Sequence, residues 1–245
     1  VTIGAKAFQD CTKLVGELVI PDSTTTIGDY AFFSCINLNK LVLGSSMRTI
    51  GNFVFANCEN FTGVVEVPKT IESIGNSAFA SCIRITNFDF AEDSVLETIG
   101  SSAFANCAGL IFIELPNSVQ TIGESAFKDC RSLRYFVLGL TISAQTNIAT
   151  IPVSMFENCS SLELFAFHES VVSIGANAFA NCFEEGNGLY DVVFTGSSTQ
   201  LGLINISGGN TDFNNAIKTF EVDKYTFTDT TVDGLTHFIL SSIDS

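Results

Sequence analysis

The sequence predicts an α/β repeat solenoid, with one short parallel strand per coil of roughly 23 residues and helical or 3-10 turns on the other side. Three observations carry this reading. Eight cysteines, Cys11, Cys35, Cys58, Cys82, Cys107, Cys130, Cys159 and Cys182, follow one another at steps of 24, 23, 24, 25, 23, 29 and 23 residues. Each closes the same phrase, as in VTIGAKAFQDC, TIGESAFKDC and SIGANAFANC. A phenylalanine stands three residues before every one of them, from Phe8 to Phe179. One such coil cannot bury its own apolar face, so stacking must supply the core.

The coil from Cys107 to Cys130, CAGLIFIELPNSVQTIGESAFKDC, gives the element order. Leu110, Ile113 and Leu115 read as the inward side of a strand. Pro116 and Asn117 turn the chain, because proline has no N–H to give a ladder. Val119 and Ile122 point back into the core. Gly123 marks an unusual backbone angle or a close approach that a side chain would block. Ala126, Phe127 and Cys130 fit the inner face of a helical or 3-10 turn. The glycine recurs as Gly4, Gly28, Gly51, Gly75, Gly100 and Gly175. Stacked coils therefore align a phenylalanine column beside a cysteine column.

Residues 1–195 are expected to form the solenoid, about eight coils with the first incomplete, since Val1 opens in mid-repeat. The strand expected before it is missing, which reads as a piece of a longer chain. The seventh coil departs from the pattern, with Ile151-Pro152 for Ile-Gly, Met155 for the usual alanine, and an insertion within residues 140–150 expected to bulge as a loop. The fourth carries extra residues near Glu92 and Asp93. Residues 196–245 lose the phrase, and they are expected to be an atypical cap or the start of a further domain.

Composition narrows the function classes. The net charge of −15 opposes binding to nucleic acid or to an anionic membrane surface. No segment approaches the roughly 18 apolar residues that span a bilayer, so no membrane insertion is expected. Equivalent cysteines in stacked coils lie roughly 4.8 Å apart with parallel side chains. A disulfide instead needs a Cβ separation of about 3.8 Å and converging vectors. Buried free thiols are the expectation. No CxxC or Cys-His pair offers a zinc site, and Asp229, Asp233 and Gly234 lack the ligand ladder of a calcium loop. The sequence has no P-loop, GxGxxG, HExxH or GxSxG. His168 is expected on an exposed turn and His237 in an apolar run. No catalytic, cofactor or metal site is predicted, and the chain does not read as an enzyme.

The phrases LVGELVIPDSTTTIGDYAFFSC and ELPNSVQTIGESAFKDC resemble the BspA-like leucine-rich repeats of bacterial and protist surface proteins. The match spans residues 1 to about 195, keeping seven of eight Ile-Gly positions and all eight Phe-x-x-Cys positions. The resemblance implies a leucine-rich-repeat solenoid, a secreted or cell-surface location, and adhesion to proteins of a host or another cell. It brings no catalytic residues.

The outward strand positions carry the functional expectation. One column reads Glu17, Lys40, Val64, Asn87, Phe112, Tyr135, Leu164 and Asp191. Its middle is apolar, and Ile111, Val137, Ala166 and Tyr190 adjoin it. A protein-binding strip of Ile111, Phe112, Tyr135, Val137, Leu164 and Tyr190 follows, bordered by Glu114 and Glu163, which suit a partner with a basic rim. Two other readings stand beside it. Such residues suit any strand surface, or the 140–150 insertion or the tail folds over them. Self-association through an uncovered solenoid end is the alternative role, giving a shell or filament.

Overall fold

The computed structural model describes residues 1–91, 93–138, 148–184, 187–189, 191–220, 224–232 and 235–244; for 183–184, 187–188, 217, 219–220, 224–232 and 235–244 it describes the backbone alone. Nine strands lie one per coil: β1 (Gly16–Val19), β2 (Leu38–Val42), β3 (Gly63–Val67), β4 (Ile85–Phe90), β5 (Phe112–Leu115), β6 (Tyr135–Leu138), β7 (Leu164–Phe167), β8 (Asp191–Phe194) and β9 (Ile217–Phe220). All pair in parallel, β1 with β2, and β3 through β9 in chain order. A second stack holds two-residue strands, Thr2–Ile3 through Thr121–Ile122 and then Thr150–Ile151, Ser173–Ile174 and Asn205–Ile206.

The Ile-Gly phrase builds that second stack by close approach. The Gly28, Gly51, Gly75, Gly100 and Gly123 N–H groups each donate to the isoleucine carbonyl of the coil before. A Cβ on Gly123 would lie 2.2 Å from the Ser101 nitrogen, so the backbones touch where only glycine fits. Pro152 has no N–H to donate, and the short-strand stack breaks between Thr121–Ile122 and Thr150–Ile151. The Ser125 and Phe127 N–H groups still bond to the Val153 and Met155 carbonyls and hold these two coils together.

The helical turns expected opposite the strands are not there. Among the described residues the only helices are α1 (Ser198–Leu201) and α2 (Thr211–Asn215), both beyond the last cysteine. Each coil instead places two non-glycine residues in the left-handed region, sixteen in all, for example Ser77 and Ser81 (φ 51° and 62°) or Asn177 and Asn181 (φ 56° and 58°). That flips alternate peptides, so every second N–H points at the next coil. Ser77, Phe79 and Ser81 donate to the carbonyls of Ser101, Ala103 and Ala105 at 2.8–2.9 Å. A helix would satisfy those groups within one coil and leave the stack unbonded. Asn, Asp and Ser fill most of these positions, and Asn and Asp tolerate this conformation best.

Between the strands and these turns runs the core. Phe8, Phe32, Phe55, Phe79, Phe104, Phe127, Phe156 and Phe179 stack at centroid separations of 5.0–6.1 Å. The eight cysteines are free; Cys11 is half-buried and the other seven are buried. From Cys35 on, each Sγ–H donates to the phenylalanine carbonyl of the preceding coil at 3.1–3.2 Å. A thiol is small enough for the column, and its weak donor adds a second hydrogen bond to a carbonyl that already accepts the N–H of the cysteine in its own coil. Burial pushes the Cys35 thiol up to about 11, and Cys58, Cys82, Cys107, Cys159 and Cys182 are also raised, burial first among the causes.

Stacking continues past residue 195. β9 extends the main sheet, and Phe213 sits 5.0 Å from Phe179 as the last ring of the column. Side chains here replace the missing next coil. Asn210 Oδ1 accepts from the Phe179 N–H at 3.0 Å, and Asp212 accepts from the Cys182 N–H at 2.9 Å. The backbone then forms an antiparallel hairpin of Lys224–Val232 and Leu235–Asp244. His168 is buried rather than exposed, its Nδ1 accepting from the Ser170 N–H at 3.0 Å. Residues 140–147 of the expected loop, Glu92, Asp233 and Gly234 lie outside the described residues.

Candidate functional site

Strand alternation places three columns on the sheet face turned away from the core. The pairing registers align Val64 with Asn87, Asn87 with Phe112, Phe112 with Tyr135, Tyr135 with Leu164, and Leu164 with Asp191. From Val64 to Asp191 this is the column expected from the sequence; Glu17 pairs with Lys40 as expected, and no register joins Lys40 to Val64.

Its exposure is not as expected. Phe112 is 8% and Leu164 4% exposed, and with Val137, Ala166 and Val193 they form a second apolar cluster, separate from the core, against which Tyr135 packs. The strip read as an open binding surface is covered over β5–β8. Five apolar side chains on one face gain roughly 25 cal/mol for every Å² removed from water, which favours covering them. Ile111 is half-buried beside the cluster, and Tyr190 lies outside the described residues. Glu163 does not offer a free acidic border either. Arg134 grips it through two parallel hydrogen bonds of 2.8 and 2.9 Å, with the guanidinium 5.3 Å from the Tyr135 ring centroid. Burial, and after it the charge of Glu163, raises the Tyr135 phenol pKa.

The same face over β1–β4 is open. Val19 and Val64 are 57% and 53% exposed, and Val42 is exposed between them. The column through Val19 and Val42 continues as Glu66 and Asp89, which are paired directly across β3 and β4. Glu114 follows on β5. Much of its side chain reaches solvent, yet protein crowds its carboxyl. That crowding, and secondly the Asp89 charge, raise its pKa. Like charges facing each other across adjacent strands repel, so this row carries an electrostatic cost that the Lys40 charge near Glu66 eases without an ion pair.

A cleft interrupts this half. In the third coil Phe61 and Val65 are four residues apart, one more than the corresponding Leu38 and Leu41, and the extra residue is accommodated at Gly63 with φ +78°. Gly16, φ +86°, does the same in the first coil. The same bulge in β1 leaves its pairing with β2 intact, so the bulge alone does not part β3 from β2. The Thr62 N–H and hydroxyl both reach the Asn39 carbonyl, at 3.0 and 3.1 Å, and the two strands form no ladder beyond that point. A cavity of about 590 Å³ opens there, with Val42, Val64, Pro68 and Ala91 as apolar wall and Glu66 and Asp89 on its rim. Lys40 also lines it, but its Nζ is engaged by Glu17 at 2.7 Å. Sequence reasoning missed this cleft, although the four-residue step with a glycine inside it was visible.

Among the described residues no group of three or more His, Cys, Asp or Glu is arranged to hold a metal ion, and no helix is long and apolar enough to cross a membrane.

The model of the BspA type leucine rich repeat region matches this chain in six copies over residues 1–134 and 94–202. No curated protein gives a significant match. Among solved structures, the T. pallidum leucine-rich repeat protein superposes with a TM-score of 0.58 at 27% identity, covering 68% of this chain and 76% of that one. A leucine-rich repeat protein from Bacteroides ovatus (TM-score 0.54, 21% identity) and the pneumococcal vaccine antigen PcpA (0.54, 19%) cover 85% and 79% of this chain. This chain spans only 55% and 50% of their length, and at such identity they speak for the fold alone.

Proposed function

The chain belongs to the BspA-type leucine-rich repeat family, and from that premise we propose that it is a non-enzymatic protein-binding module of a secreted or cell-surface protein, docking partners on the open sheet face of β1–β4. The observation that carries this reading is the contrast across one face. The apolar side chains of β5–β8 are buried, whereas Val19, Val42 and Val64 stand in solvent beside a row of carboxylates. Backbone hydrogen bonds hold every strand of this face, so binding costs little ordering, and a few apolar anchors supply much of the affinity. A surface location is what the family resemblance supports.

The test is adhesion of the purified chain to immobilised extracellular proteins and to cells, compared with the variant Val19→Ser/Val42→Ser/Val64→Ser. The variant is expected to fold like the wild type and to lose adhesion. Full adhesion by a folded variant places recognition elsewhere.

A further inference from the structure

We propose that the partner segment seated in the β2–β3 cleft is an extended peptide stretch bearing lysine or arginine beside apolar residues, its cation lying between Glu66 and Asp89; this rests on the docking reading above. Three features of the cleft select that occupant. Val42, Val64, Pro68 and Ala91 make a wall suited to the aliphatic stem of a long basic side chain. At its rim Glu66 and Asp89 face each other across adjacent strands, and neither has an ion-pair partner among the described residues. Among the described lining residues the cation is Lys40, which is ion-paired to Glu17 at 2.7 Å and reaches Glu66 only through its field, with no ion pair.

Charge also decides against the rival occupants. A second copy of a chain carrying −15 would bring like charge to an acidic row. A calcium ion needs six or more converging oxygens, and the carboxylates here run along a column instead of around a point.

The probe is a ten-residue peptide alternating Lys or Arg with Val, set beside a twin carrying Glu at the basic positions, with affinities read by fluorescence polarisation in low and physiological salt. The basic peptide is expected to bind and its acidic twin not to. Glu66→Gln/Asp89→Asn should weaken binding about tenfold, the sum of two partly solvated ion pairs. Val42→Ser/Val64→Ser should weaken it as well. The control Glu97→Gln/Glu124→Gln removes the same charge from exposed residues outside the cleft and should leave affinity within about twofold beyond general screening. Equal losses in the control and in Glu66→Gln/Asp89→Asn would overturn the proposal, because the attraction would then be the net charge of the chain. Displacement of the peptide by millimolar calcium alone would overturn it in favour of a cation site. If the basic peptide fails to bind while Val19→Ser/Val42→Ser/Val64→Ser still abolishes adhesion, the partner chemistry is wrong and the docking face stands. If both fail, the docking face falls with it.

Discussion

The two halves of one sheet face obey the same alternation and end in opposite states. Over β1–β4 the outward columns carry Val19, Val42, Val64, Glu66 and Asp89 in solvent; over β5–β8 they carry Phe112, Val137, Leu164, Ala166 and Val193 in a second buried cluster. Alternation fixes which side chains leave the core. It does not fix whether they reach water.

The largest expected effect is alkaline. Unfolded thiols ionise near 8.5, whereas burial raises Cys35 to about 11 and the thiols of later coils further. The stabilising contribution of a group raised on folding is complete below the unfolded value and is lost as pH rises through the folded one. Stability should therefore fall from about pH 8.5 upward, each buried thiol adding a slope of about 1.4 kcal/mol per pH unit until it ionises. Thiolate absorbance should appear from Cys35 before Cys82 or Cys107. Denaturation midpoints unchanged between pH 7 and 10 would contradict the thiol column.

Next in size is the aromatic truncation. Phe104→Ala should cost about 3 to 5 kcal/mol in urea unfolding, the range for a buried ring. A loss under about 1 kcal/mol would contradict a packed ring column.

The outer face itself gives the third and smallest contrast. Leu164→Ala should cost about 2 to 5 kcal/mol as a core substitution does, and Val64→Ala under about 0.5 kcal/mol as a surface one does. A small loss at Leu164 would mean that β5–β8 are open after all.

Much of this architecture was legible because the repeat writes each constraint many times. The cysteine, phenylalanine and glycine columns, and the register Phe112–Tyr135–Leu164, follow from spacing alone. The turns were not legible in the same way. Ala126, Phe127 and Cys130 fit a helical face and a left-handed turn equally well; the deciding signal was Ser, Asn or Asp at two fixed positions per coil, such as Ser125 and Asp129. The end of the stack was hidden because Asn210, Asp212 and Phe213 replace its contacts with different chemistry. The candidate site was half legible. The column was right, but whether protein or water lies against it depends on packing that no periodicity encodes.

Native-state maleimide labelling tests the contrast between the two halves most directly. Val64→Cys and Leu164→Cys, each made in a Cys11→Ala background so that every remaining native thiol is buried, place one reporter on each half of the same column. The cysteine at 64 should react at the rate of an unfolded-chain control, and the cysteine at 164 should react at least about a hundredfold more slowly, only as the protein opens. Equal rapid labelling at both positions would contradict the account.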